Sequence, residues 1–237
     1  MKKYALILAG GTGKRMGKTR MPKQFLPLGD KPIFVHTVEQ FLLNENIDNI
    51  ILCCHKNWIS HAENTLNRYI PNNNVIIVDG GETRNDSMIN GCNYIKDNFG
   101  INNDDIVTVH DAVRPFVNQK IINENLKKAQ KYDAVDTVIP ATDTIVVSED
   151  KKTISNIPVR SHLYQGQTPQ TFNLKKLMKL YAELTPDEKR ILTDSCKIFV
   201  LRNQPVALVE GEISNMKITS LHDLKIANAI LELRGEK

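Results

Sequence analysis

No apolar stretch in this 237-residue chain approaches the roughly 20 residues that a membrane-spanning helix needs. The N-terminal apolar run stops at Ala9, where Gly10-Gly11 and a basic polar loop follow, so neither export nor a membrane partner is expected and the chain reads as cytoplasmic. Cysteines are few: Cys53, Cys54, Cys92 and Cys196, with no C-x-x-C, which suits buried, reduced thiols better than disulfides. No H-E-x-x-H occurs among the six histidines, and a structural zinc site is not expected. Repeats, low-complexity tracts and Gly/Ser/Pro linkers are missing too, which reads as one domain over 1–237. Acid is absent from the first 29 residues, which carry seven cations; Asp30 is the first carboxylate. Net charge is only +4, too mild to suggest a nucleic acid polymer.

What is present is an alternation of apolar runs and helical patterns. Tyr4 to Ala9, Asn49 to Cys54, Val75 to Val78, Asp105 to His110 and Ala134 to Pro140 read as buried strands. Between them, Pro32 to Leu43, Trp58 to Ile70, Arg84 to Phe99 and Gln119 to Lys131 show helical spacing. The rhythm predicts an α/β fold: a doubly wound, mostly parallel, Rossmann-like sheet. After Pro140 the pattern changes. Asp143 to Val147 and Thr153 to Val159 alternate around a polar turn, predicting a projecting β-hairpin arm at about 141–160. A helix at Leu174 to Leu184, the segment Thr193 to Leu201, a strand near Val206 to Val209 and a last helix at Leu221 to Leu233 complete the core.

Five of the early cations (Lys14, Arg15, Lys18, Arg20, Lys23) follow the glycines of Leu8-Ala-Gly-Gly-Thr-Gly-Lys-Arg-Met16. A buried strand running into glycines and cations suits phosphate, because glycine lets backbone N–H groups approach anionic oxygens. It is not a Walker A loop: Gly17-Lys18-Thr19 would need glycine where Thr12 stands. Nor is it the dinucleotide pattern, since counting from Gly11 and Gly13 puts Met16 at the last glycine position. Two more strand ends carry chemistry: Asp79-Gly-Gly-Glu-Thr-Arg84 and His110-Asp-Ala-Val-Arg-Pro115. In open α/β sheets ligands bind at that edge. Asp111 there is a candidate Mg²⁺ ligand, since Mg²⁺ in nucleotide sites takes one or two carboxylates beside phosphate oxygens.

These motifs, with Pro22-Lys-Gln24, Gln167-Thr-Pro-Gln170 and Asn215-Met-Lys-Ile-Thr219, resemble in that order the sugar-alcohol-phosphate cytidylyltransferases, from Tyr4 to Leu233. Within that family, Leu8-Ala-Gly-Gly11, Ala134-Val-Asp-Thr-Val138 and the Gln165-Gly-Gln-Thr-Pro-Gln170 run look more like the ribitol-5-phosphate branch, which serves wall teichoic acid synthesis. The methylerythritol-phosphate branch of isoprenoid synthesis usually opens Pro-Ala-Ala-Gly.

The resemblance implies transfer of a cytidylyl group from CTP to ribitol 5-phosphate with Mg²⁺, the alternative acceptor being methylerythritol phosphate. It implies that Arg15, Lys23, Arg160 and Lys217 act in catalysis. Leu8, Ala9, Gly10, Gly11, Gly81, Glu82, Thr83, Arg84, Asn85, Asp86, Ser87 and Ala112 would hold CTP. Arg114, Thr144 and Thr168 would face the acceptor, and Asp111 the metal. It also implies a homodimer in which the arm completes the neighbour's site, and functional coupling to a reductase that supplies the ribitol phosphate.

Overall fold

The computed structural model describes residues 1–11 and 21–235. Its main sheet starts with β1 (Lys3–Ala9), whose alternate side chains enter two different cores. Ala5, Ile7 and Ala9 face one layer, and Tyr4, Leu6 and Leu8 the other. A strand buried on both faces has no polar side to show, which is why it reads as a continuous apolar run. The helix α1 (Ile33–Leu42) leads to β4 (Asn49–Cys54), and α2 (Ile59–Tyr69) to β5 (Ile76–Asp79). Next, α3 (Arg84–Phe99) crosses back to β6 (Ile106–Asp111), and α4 (Gln119–Lys128) leads to β7 (Ala134–Pro140). Two short strands, β2 (Pro27–Leu28) and β3 (Lys31–Pro32), form a separate antiparallel hairpin before α1.

Among the described residues, three features lie outside the sequence-based expectation. β8 (Tyr164–Asn173) is a ten-residue strand inserted between β6 and β7 and antiparallel to both. The sheet order is therefore β5-β4-β1-β6-β8-β7, closed by β9 (Ala207–Glu210), which runs parallel to β7. The short β2–β3 hairpin is the second, and α6 (Pro186–Arg190) the third; α6 has a Thr185/Glu188 capping box and follows α5 (Leu174–Ala182). A short α7 (Lys197–Val200) and the terminal α8 (Leu221–Leu233) complete the order.

Helices cover both faces, as the alternation predicts. Phe34, Val38 and Phe41 of α1, Leu66 of α2 and Ile121 and Leu126 of α4 fill one layer. Met88, Cys92 and Ile95 of α3, Leu177 of α5 and Phe199 of α7 fill the other. A third cluster joins Ala227 and Leu231 of α8 to Leu28, Ile33, Phe116 and Ile218. All four cysteines are buried and free. Among the described residues, no helix is long and apolar enough to cross a membrane.

The arm between β7 and β8 projects where the alternating pattern predicts, with less regular ladder than two full strands would give. It closes at its base, where Pro140 pairs with Tyr164 and Ala141 N–H donates to Leu163 O at 2.9 Å. Within it the chain makes an isolated bridge, Val147 to Asn156, rather than two strands. Asp150 organises the turn by accepting from the N–H groups of Lys152 and Thr153. The reason is physical: Ile145, Val146, Ile154, Ile157 and Val159 are all exposed, and a two-stranded ribbon with nothing to pack on is marginal in water.

Candidate active site

The chain runs outward from β1 to β4 and β5, and α3 then carries it back to β6 on the other side of β1. That reversal opens a crevice at the carboxyl edge between β1 and β6, where doubly wound sheets bind ligands. A cavity of about 750 Å³ lies there. One wall is the end of β1, Leu8 to Gly11; another is the loop after β5, with Glu82, Thr83 and Arg84, and Ser87 behind it; Asp111 ends β6. Lys23 and Lys217 reach in from outside the sheet.

Close backbone approach explains the glycines. A Cβ on Gly81 would collide with Asp86, and one on Gly10 would stand 2.7 Å from Ser87 Oγ. Both contacts press the N-terminus of α3 against the β1 and β5 ends. Thr83 caps α3, its Oγ1 accepting from Asp86 N–H, while Asp86 accepts from Thr83 N–H. Ser87 Oγ accepts from Gly81 N–H at 3.1 Å and donates to Thr83 O at 2.9 Å. Asn85 is buried and donates to Leu192 O, fixing the opposite wall.

Asp111 is the electrostatic centre. Its side chain is 7% exposed and meets three cations: Arg84 Nε at 3.0 Å, Lys217 Nζ at 2.7 Å and Arg114 Nε at 3.8 Å. Burial alone would raise its pKa, but Arg84, Lys217 and Arg114 together hold it well below the usual carboxylate range. Arg84 is in turn held from behind, donating from Nη1 to Ser195 Oγ at 2.7 Å. Ser195 sits in a loop clamped by Gln170, whose Nε2 donates to both Asp194 and Asp136. Lys23 Nζ donates to Ile218 O at 3.0 Å. Its neighbour Gln24 donates to Ala9 O and Gly11 O, tying Pro22-Lys-Gln24 to the end of β1.

Beneath Asp111 lies a neutral relay. His110 is fully buried, and burial pushes its pKa down to about 3. Its Nε2 lies 3.1 Å from Arg114 O, a pure acceptor, so the proton sits on Nε2. Nδ1 then accepts from Thr168 Oγ1, which itself accepts from Asp111 N–H. Thr168 therefore supports the Asp111 backbone and does not line the cavity. Arg114 is also buried, donating to Asn215 O and Gly166 O. Ala112 backs the site, its N–H on Leu8 O and its carbonyl accepting from Thr37.

Eleven of the sequence-predicted residues thus meet at one cavity: Leu8, Ala9, Gly10, Gly11, Lys23, Glu82, Thr83, Arg84, Ser87, Asp111 and Lys217. Gly81, Asn85, Asp86, Ala112, Arg114 and Thr168 stand behind its wall. Thr144 and Arg160 lie on the exposed arm, where Arg160 donates to Thr142 O. Arg15 lies outside the described residues. Gln24, His55, Val113, Leu192 and Thr193 also line the cavity, though none was among the expected site residues. His55 directly follows the end of β4 and Val113 lies two residues past the end of β6, so the strand-end rule would have found both; Leu192 and Thr193 carry no such signal.

Cations around one carboxylate, beside glycine-bearing strand ends in a crevice at a strand-order reversal, suit a nucleoside polyphosphate, and the fold is that of a nucleotidyltransferase. Residues 4–233 match the family described as 2-C-methyl-D-erythritol 4-phosphate cytidylyltransferase, and the chain belongs to that cytidylyltransferase family. The 4-diphosphocytidyl-2C-methyl-D-erythritol synthase of Anaerococcus prevotii is 28% identical with a TM-score of 0.80, matching 98% of this chain and 96% of its own. The 2-C-methyl-D-erythritol 4-phosphate cytidylyltransferase of Francisella tularensis is 28% identical at a TM-score of 0.79, matching 97% and 99%. That of Thermus thermophilus is 26% identical at 0.74, matching 98% and 100%.

Proposed function

We propose that the protein transfers the cytidylyl group of CTP to ribitol 5-phosphate, releasing pyrophosphate. The observation that carries the reaction class is the pairing of Arg84 and Lys217 with Asp111 at the β1/β6 crevice, with Lys23 lining the same cavity. An oxygen of the acceptor phosphate bonds to the α-phosphorus as the bond to pyrophosphate breaks. The nucleophile is already anionic, so no strong general base is required. The barrier lies in bringing two polyanions together and holding the charge of the pentacoordinate phosphorus, which preorganised cations do. Lys23, and Arg15 from outside the described residues, would meet the triphosphate; Lys217 would meet the acceptor phosphate.

Asp111 suits Mg²⁺ in its donor chemistry: it is a carboxylate on the cavity wall, and the remaining ligands would be phosphate oxygens and water. Its Oδ1 is engaged by Arg84 and its Oδ2 by Lys217, so a metal there requires one of those cations to shift. When bound, the ion offsets triphosphate charge.

Ribitol 5-phosphate is favoured by Leu8-Ala-Gly-Gly11 and Gln165-Gly-Gln-Thr-Pro-Gln170. The second reading, methylerythritol phosphate, is favoured by the family description and by the names of the solved relatives, and on those comparisons it has the stronger support. An acceptor panel with CTP and Mg²⁺, read by pyrophosphate release, decides between them. A higher kcat/KM with methylerythritol phosphate replaces the first reading by the second.

The exposed apolar arm supports a homodimer in which Arg160 acts on the neighbour's cavity. Arg160→Ala and Lys23→Ala, each inactive alone, would on refolding as an equal mixture regain roughly a quarter of wild-type activity: half the dimers are mixed, and each has one intact site of two. No recovery in demonstrated mixed dimers puts Arg160 elsewhere.

A further inference from the structure

Lys217 sits on an irregular segment between β9 and α8, where no regular ladder fixes its position. We infer that Asn215 is the positioning residue that aims Lys217 into the cavity; this rests on the role proposed above for Lys217. Asn215 is fully buried and does not line the cavity. Its Nδ2 donates to Thr168 O at 2.8 Å and to Gln167 Oε1 at 3.1 Å, so a loop residue is bolted to β8. Its carbonyl accepts from Arg114 Nη1 at 2.8 Å, and its N–H donates to Glu212 O at 3.0 Å. On the far side of Lys217, Ile218 N–H donates to Val113 O at 2.9 Å. Lys217 is thus bracketed, with Asn215 holding one side and Val113 the other.

The chemistry requires this amide. Both groups facing Nδ2 are oxygens, so only a donor satisfies them, and one short side chain must reach both. Among the described residues Oδ1 has no partner, and the two acceptors set the amide's orientation. The Gln167 amide is committed as well, its Nε2 donating to Glu212 O. Without the Asn215 side chain, the segment before Lys217 loses its tie to β8 and keeps only the backbone bonds to Arg114 and Glu212 beside the Ile218 anchor, and the Nζ contact to Asp111 loses its aim.

The test reads Lys217 directly. Asn215→Ala is trace-acetylated with acetic anhydride, and each lysine's rate is measured by mass spectrometry beside wild type. Lys217 is expected to react severalfold faster once its amine leaves Asp111, with Lys96 unchanged. In the same variant kcat is expected to fall ~10²-fold, as for a small misplacement of a reacting group. In a Lys217→Ala background, Asn215→Ala should cost no further kcat, because the two act through one group. Should the alanine variant fail to fold, Asn215→Ser, too short to reach both acceptors, takes its place. An unchanged Lys217 rate in the folded variant, or an equal kcat loss in both backgrounds, overturns the inference. Full activity in Lys217→Ala with a raised acetylation rate in Asn215→Ala would instead uphold the positioning and refute the catalytic reading.

Discussion

Replacing Asp111 by asparagine keeps its shape and removes its charge. Three cations then face a neutral amide, and whichever way that amide turns, an NH₂ donor points at one of them. Breaking a buried ion pair by deleting one partner costs about 3–5 kcal/mol. Arg84 and Lys217 retain 23% and 32% exposure, which screens part of that, so the lower end, about 3 kcal/mol, is expected. For a chain of this size that lowers Tm by roughly 6–12 °C, measurable by calorimetry at pH 7.5. The pH dependence follows from the sign of the shift. Asp111 has its folded pKa depressed, so its stabilisation is present above the unfolded value near ~3.9 and is lost as pH falls toward the folded one. The Tm gap between wild type and Asp111→Asn should therefore hold from pH 8 to pH 5 and close only in more acidic solution. Uncompensated cations also attract anions, so pyrophosphate without metal should raise the variant's Tm more than that of wild type. A Tm loss under about 2 °C, or a gap that closes already near pH 6, would show that the three cations do not depend on this carboxylate.

Lys23→Ala should lower kcat by ~10²–10³ while the far-UV circular dichroism stays that of wild type; near-normal turnover would remove Lys23 from the mechanism. Gly81→Ala forces a methyl against Asp86 and should cost about 1–3 kcal/mol by overpacking the start of α3, read as a lowered Tm; an unchanged Tm would mean that this turn yields. Burial, with a smaller contribution from Asp194, raises the Asp136 carboxyl to about 6 against the opposing Gln170 hydrogen bond. A carboxyl whose folded pKa is raised stabilises the fold below its unfolded value near ~3.9 and loses that contribution as pH rises through about 6. Asp136→Asn, still able to accept from Gln170, should thus be more stable than wild type by up to ~3 kcal/mol at pH 7.5, with no gain below pH 4, by urea unfolding. Equal stability at both pH values would refute the assigned burial cost.

The parallel half of the sheet was legible because β1 and β4 are apolar on both faces, and β6 opens on an apolar run and ends at Asp111. β8 was hidden by its composition: Gln165, Gln167, Thr168, Gln170 and Thr171 look like a loop, and Pro169 argues against a central strand. The strand survives because its buried polar groups find one another, Thr171 Oγ1 with Thr108 Oγ1 and Gln170 with Asp136 and Asp194. Pro169 falls where the β7–β8 register shifts and beyond the last β6 pairing, so neither ladder calls on its missing N–H. At the site, the glycines and Asp111 announced themselves as strand ends. The meeting of Arg84, Arg114 and Lys217 on one carboxylate did not, since three distant segments supply them and only the packed fold brings them together. The arm's alternating pattern was visible, but the pattern says nothing about what lies beside it, and an unsupported ribbon does not form its ladder.

The closed base of the arm has an evolutionary consequence. β7 and β8 pair up to Pro140 and Tyr164, so the connection 141–163 enters and leaves the sheet at one point. Insertions, deletions and drift within it cost the sheet no hydrogen bond, and the closure penalty rises only by about 0.6 kcal/mol per doubling of length. Leu8 to Gly11, Thr83 and Asp111 are set by other strands and do not feel such changes. The molecule is thereby divided into a sheet that handles the nucleotide and an arm whose length and surface can vary around the residue it lends to a site, the Arg160 proposed above, without disturbing the strands that hold the nucleotide.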